Sequence, residues 1–185
     1  MTRQPPDYTW LDGTYGGYGY CFIYVRDAPE NVVARLGGQW ADFTPGPFPD
    51  NPDDFPVRGE HSGIAAIGEW TFILDAELLF FDEEAMSRLS AGTRVVVQSA
   101  LSIKGLDDFR CFEDGELTFG FWAQEGFLEV PDELTSIVEE IDRSGDDIQG
   151  SFFQLVEHLT GLFVTEELVK GSSFRWGRLP ASGAA

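Results

Sequence analysis

GEWTFILDAELLFF, residues Gly68–Phe81, decides the fold. Trp70, Phe72, Leu74, Ala76, Leu78 and Phe80 fill its even positions, whereas Thr71, Ile73, Asp75 and Glu77 make the first odd positions mostly polar. Successive side chains of a strand point to opposite faces, so a period of two marks one long strand, dry on one face and partly wet on the other. The run is long for a strand, which places a kink or bulge near Ala76. We read it as a central strand of an antiparallel sheet.

The flanking segments extend that sheet. Ile64–Ile67 is a short strand leading in, and Asp82–Ser90 is a short helix leading out, capped by Asp82, with Met86 and Leu89 inward and Gly92 at its end. Thr93–Ile103 alternates Val95, Val97 and Leu101 against Val96 and Ala100, a strand covered on both faces. Asp114-Gly115 between two strand-like runs is a two-residue hairpin turn. A regular register there sets Phe112 against Leu117, Cys111 against Thr118 and Arg110 against Phe119, the last a candidate cation–π contact.

Toward the N-terminus, Tyr20–Val25 is a strand. Asp27 and Glu30 form a capping box for a helix with Pro29 in its first turn, apolar Val32, Val33 and Leu36, and Gly37-Gly38 at its end. Those glycines follow the helix rather than precede it, so no phosphate cradle is written. Residues 1–19, rich in Tyr, Gly and Pro, form an arm anchored by Tyr8, Trp10 and one or two of Tyr15, Tyr18 and Tyr20. Toward the C-terminus, Pro131-Asp132-Glu133 opens a helix with Leu134, Ile137, Val138 and Ile141 at helical spacing. A second helix carries Ile148, Phe152, Leu155, Val156 and Leu159, and a third, capped by Thr165, spans Glu166–Lys170. The predicted class is α+β: an antiparallel sheet of five or six strands with helices mainly on one face. One domain covers 1–185, comprising the arm, a mostly sheet region with two short helices at 20–126, a helical region at 127–171 and an extended tail at 172–185.

Charge is the strongest compositional signal, with 32 acidic against 12 basic residues, a net charge of −20 and a pI near 4.1. Phosphate backbones repel such a chain, which argues against direct nucleic-acid binding. The same charge favours solubility and fast association with a basic partner. No apolar run reaches the roughly 20 residues that span a bilayer, and no signal-peptide core follows Arg3, so the expectation is a cytoplasmic protein without membrane contact. Cys21 and Cys111 fit reduced thiols inside strands.

Little catalytic chemistry is written. His61 and His158 are the two histidines. His61 stands beside Ser62, but neighbours in sequence do not make a triad, and no nucleophile elbow, zinc spacing or nucleotide loop is present. The proline-broken segment 39–62 holds Asp50, Asn51, Asp53 and Asp54 among Phe43, Phe48 and Phe55. It lacks the glycine and distal glutamate of a calcium loop, so no metal or other cofactor is expected. A surface loop with aromatic pegs is the reading, and such loops carry binding.

Several motifs fall in one order: GYCF and RLGG in the first fifth, GEW before the long strand, LSAGTR, the FEDGELTFGF hairpin, PDEL at a helix start, then LTG and VTEEL. As a set they resemble an uncharacterised actinobacterial family classed only as a domain of unknown function. That resemblance implies no activity, cofactor or catalytic residue.

With no catalytic wiring, the expected function is a non-catalytic acidic protein-binding module, such as an immunity or inhibitor protein masking a basic surface. The candidate partner-binding residues are Glu133, Glu139, Glu140 and Asp142 on the acidic helix face, and Asp50, Asp53, Asp54, Phe48 and Phe55 in the loop. Two alternatives stand beside it. One is a ligand-binding or enzyme domain with a pocket lined by Tyr18, Trp40, Phe48 and His61. The other is a nucleic-acid mimic with carboxylates spaced like phosphates.

Overall fold

The computed structural model describes residues 8, 10–11, 19–49, 61–75, 79–101, 106–122, 126–128, 130–144 and 148–180, with backbone alone at 80, 101, 106, 128 and 140–144. Among them, nine strands make one antiparallel sheet. They are β1 (Tyr20–Val25), β2 (Thr44–Gly46), β3 (Ser62–Ile67), β4 (Trp70–Leu74), β5 (Arg94–Leu101), β6 (Leu106–Glu113), β7 (Glu116–Trp122), β8 (Gly126–Leu128) and β9 (Phe174–Gly177). Their spatial order is β2-β9-β3-β4-β1-β5-β6-β7-β8. Five α-helices whose bounds lie within the described residues accompany them: α1 (Pro29–Arg35), α2 (Glu83–Ser90), α3 (Thr135–Ser144), α4 (Ile148–Thr160) and α5 (Glu166–Lys170).

The strand count of five or six is too low because β2, β8 and β9 have only 3, 3 and 4 residues, too few to show a period. Pro45 in β2 fits its edge position, since proline cannot donate to a second neighbour. The stretch expected to be one long strand is shorter as well. It pairs with β1 and β3 over Trp70–Leu74, residues 76–78 lie outside the described residues, and Leu79–Phe81 is a single tight helical turn.

Helices cover both faces, not mainly one, because the central strands are apolar on both sides. On the first face Tyr20, Phe22, Tyr24, Phe72, Leu74 and Val96 pack with Leu134 and Val138 near or in α3, Phe152, Phe153 and Val156 of α4, and Val169 of α5. On the second face Ile23, Val25, Ile73, Val95 and Val97 pack against Val32 and Val33 of α1 and Met86 and Leu89 of α2. The odd positions of β4 are therefore dry too: Thr71 is fully buried, its hydroxyl donating to the Asp27 carbonyl at 2.6 Å.

Local signals set most boundaries. Asp82 caps α2 by accepting from the Glu84 and Ala85 amides, and Thr165 caps α5 by accepting from the Leu168 amide. At α1 the capping box is absent. Ala28 occupies the cap, and Asp27 instead accepts from the Ala28 amide and the Asn31 amide group and pairs with Arg35. The acidic segment begins with a tight turn at Asp132–Leu134 before α3 proper. In the hairpin, Phe112 opposes Leu117 as expected, but a bulge sets Cys111 opposite Phe119 and Arg110 opposite Gly120. Thr118 is the extra residue, its hydroxyl donating to the Cys111 carbonyl. Arg110 consequently lies over Trp122, 5.7 Å from its centroid, rather than over Phe119.

The segment expected to be a tail is part of the sheet. Phe174–Gly177 inserts as β9 between β2 and β3, so the last strand in sequence ties residues 44–46 to the rest. Tyr8 stacks on Phe153 with centroids 4.0 Å apart, and Trp10 and Leu11 are buried on the same face.

Candidate functional site

The described acids of the 132–139 segment are exposed. Leu134 and Val138 anchor the segment to the core, while Asp132 and Glu133 stand in the turn before α3 and Glu139 on α3 itself. Glu140 and Asp142 lie on α3, where the backbone alone is described. Asp50, Asp53, Asp54 and Phe55 lie outside the described residues. Phe48 is buried, its ring 5.7 Å from that of Phe174.

Basic side chains serve the scaffold. Arg26 pairs with Glu69, Arg35 with Asp27, Arg88 with Glu84, Arg94 with Glu113, Arg110 with Asp108 and Lys170 with Glu166. Arg175 donates to the Phe43 carbonyl and lies 5.0 Å from the Trp40 ring centroid. Each of the six paired cations offsets one carboxylate, and among the described residues Asp132 and Glu133 are exposed.

A cleft of about 800 Å³ opens where β2, β9 and β3 meet. Trp176 is paired with Thr44 on one side and Gly63 on the other. Its indole lies over two glycines, Gly63 directly opposite and Gly46 on the diagonal: a Cβ at Gly63 would come 2.7 Å from the ring and one at Gly46 2.9 Å from it. The indole Nε1 donates to the Gly46 carbonyl at 3.3 Å. Beyond Trp176, the strand ends bring Asp42, His61 and Arg178 to the same cleft, walled by Pro45, Pro47, Phe48 and Pro49. Asp42 and Arg178 are exposed, whereas His61 buries its Nδ1 without a hydrogen-bond partner. Ser62, next to His61, is fully buried and does not line the cleft, so no serine–histidine pair forms.

Of the four residues expected around a pocket, Phe48 and His61 meet here. Trp40 instead packs against the second-face cluster, stacking on Phe43, and Tyr18 lies outside the described residues. Asp42, Trp176 and Arg178 were not legible as partners, since they meet only through the pairing of β9 with β3 and with β2, the latter 130 residues away at Gly46 and Trp176.

A second polar group sits inside the sheet. Cys21, Ser99 and Asp108 stand in register across β1, β5 and β6, and Trp122 continues the row on β7. Arg110 donates to Asp108 Oδ2 at 2.6 and 3.2 Å. Burial raises the Asp108 carboxyl above its usual range, against the opposing pull of the Arg110 hydrogen bond and charge. Burial, then the charges of Asp75 and Asp108, push the Cys21 thiol well up, and burial pushes Cys111 up to about 11. Neither thiol is a nucleophile at neutral pH. Both are free, and this row is internal structure.

Among the described residues, no group of three or more metal-ligating side chains is placed to hold an ion, and no helix is long and apolar enough to cross a membrane. No curated protein and no solved structure matches the chain. One family model does match, over residues 1–184 and hence over the ordered motifs from GYCF to VTEEL, and the chain belongs to that family, a family of unknown function (DUF6461).

Proposed function

We propose that this chain is a non-catalytic acidic protein-binding module, an immunity or inhibitor protein that masks a basic surface on its partner. The allocation of charge carries this reading. The described ion pairs commit Arg26, Arg35, Arg88, Arg94, Arg110 and Lys170 to the chain's own carboxylates, while Asp132 and Glu133 stand on an exposed turn of a molecule of net charge −20. A helix face of like charges is slightly unfavourable in isolation, by a few tenths of a kcal/mol per pair, and solubility alone does not require it. A basic partner converts that cost into attraction and faster encounter.

The test is affinity capture from a lysate of the source cells on the immobilised full chain, beside a variant with Glu133, Glu139, Glu140 and Asp142 all changed to Lys. The expected result is one basic protein retained in stoichiometric amount by the wild type and lost from the variant, with both chains equally folded by circular dichroism. Equal retention on both, or no basic protein enriched on the wild type, would overturn the reading.

A further inference from the structure

We propose that Asp114-Gly115 is a latent modification site, where the backbone converts through a cyclic imide to isoaspartate, and that Ser90 of α2 holds it dormant in the folded chain. This goes beyond the protein-binding reading and does not depend on it. The turn needs left-handed backbone at both residues, with φ of 50° and 89°, and Asp-Gly meets that need. The same pair is chemically labile. Asp114 is exposed, and Gly115 carries no side chain to screen its nitrogen from the neighbouring carboxyl.

In the reaction the Gly115 nitrogen attacks Asp114 Cγ. An N–Cγ bond forms, the Cγ–OH bond breaks, and the amide proton leaves with that hydroxyl as water. Water then returns at one of the two imide carbonyls. Addition at Cγ restores aspartate, whereas addition at the main-chain carbonyl leaves the chain running through Cγ, which is isoaspartate. No oxidant or cofactor enters, and mass and charge are unchanged.

The fold opposes the first step. The Gly115 amide donates to Ser90 Oγ at 3.2 Å, so the proton that must leave is held. Ser90 is fully buried and its own hydroxyl donates to the Met86 carbonyl at 2.9 Å, which turns an oxygen lone pair to Gly115. The Asp114 amide donates to the Thr93 carbonyl at 3.3 Å, so both amides of the turn are tied to the end of α2 and the residue before β5. Attack therefore waits on a local opening that frees the Gly115 amide. Isoaspartate adds one methylene to the main chain, which a two-residue turn matched to strand twist does not absorb, so each reaction makes one opening permanent.

The full chain is incubated near neutral pH for several weeks, folded and unfolded in guanidinium chloride. Isoaspartate at residue 114 is followed by peptide mapping with fragmentation that separates it from aspartate. The unfolded chain is expected to react, and the folded chain about tenfold or more slowly. Ser90→Ala should speed the folded reaction about threefold to tenfold, the worth of one hydrogen bond. Amide hydrogen exchange separates a local effect from a general loss of stability: in Ser90→Ala it should quicken more at Gly115 than at Val96 in β5. No isoaspartate from the unfolded chain would overturn the site. Equal rates folded and unfolded would overturn the protection. A wild-type rate in Ser90→Ala, or exchange quickened no more at Gly115 than at Val96, would overturn the role of Ser90.

Discussion

Asp27 and Asp108 pull the stability of this protein in opposite directions as pH changes. Burial works against the ionised Asp27, but hydrogen bonds from Asn31, the Ala28 amide and Arg35 outweigh it and lower its value in the fold. Its contribution is present above the ordinary aspartate range near about 3.9 and is lost as pH falls through the lowered folded value. Asp108 is raised, mainly by burial, so the folded state holds its proton longer than the unfolded chain. Stability from this site is greatest below the ordinary aspartate range and declines as pH rises through the interval up to the raised value. Asp108→Asn should therefore flatten the part of the urea-midpoint profile that falls with pH above about 3.9, while Asp27→Asn should flatten the acid-side loss. A wild-type profile in both variants would show that these carboxyls do not titrate as placed.

At the scale of elements, the hairpin joining β6 to β7 is the sharpest case. Asp114 and Gly115 have φ of 50° and 89°, the pair of left-handed conformations that a two-residue turn needs to match strand twist. A Cβ at Gly115 would take on that strained conformation and stand 3.2 Å from Ser87 Oγ. Gly115→Ala should cost about 1–2 kcal/mol in chemical denaturation, whereas a loss below measurement error would show that the turn tolerates a side chain. This turn was legible because its signal is two adjacent residues. The same holds for Tyr20–Val25, which forms β1 as read, and for Asp82 at the start of α2. The register beyond the turn was not legible, because an apolar alternation does not reveal a bulge at Thr118. β4 was overextended for a related reason: apolar residues persist from Leu79 to Phe81, where they form a turn with Phe81 exposed rather than more strand.

For the whole molecule, the decisive connection is β9. Phe174 and Trp176 belong to the first-face core, and their strand separates β2 from β3. Ending the chain at Gly171 removes an interior strand and bares the β3 edge, a template for pairing with other chains. Such a truncation should lose cooperative unfolding and elute as aggregate in size exclusion; a monodisperse, cooperatively folded product would show β9 to be dispensable. The sequence could not place this strand, because four residues carry no period and the partners are remote. The same pairing hid Asp42, Trp176 and Arg178, so the cleft appears only when the sheet is assembled. Net charge, by contrast, was countable at once, and the described ion pairs add where six of the 12 basic residues are committed. The central claim is that the surplus of acids acts on a basic partner, and the most direct measurement is the association rate of the captured partner against ionic strength. Between about 0.05 and 0.5 M salt the rate should fall by roughly tenfold or more for the wild type and much less for the charge-reversed α3 variant. A rate independent of salt, or an equal fall in both proteins, would contradict it.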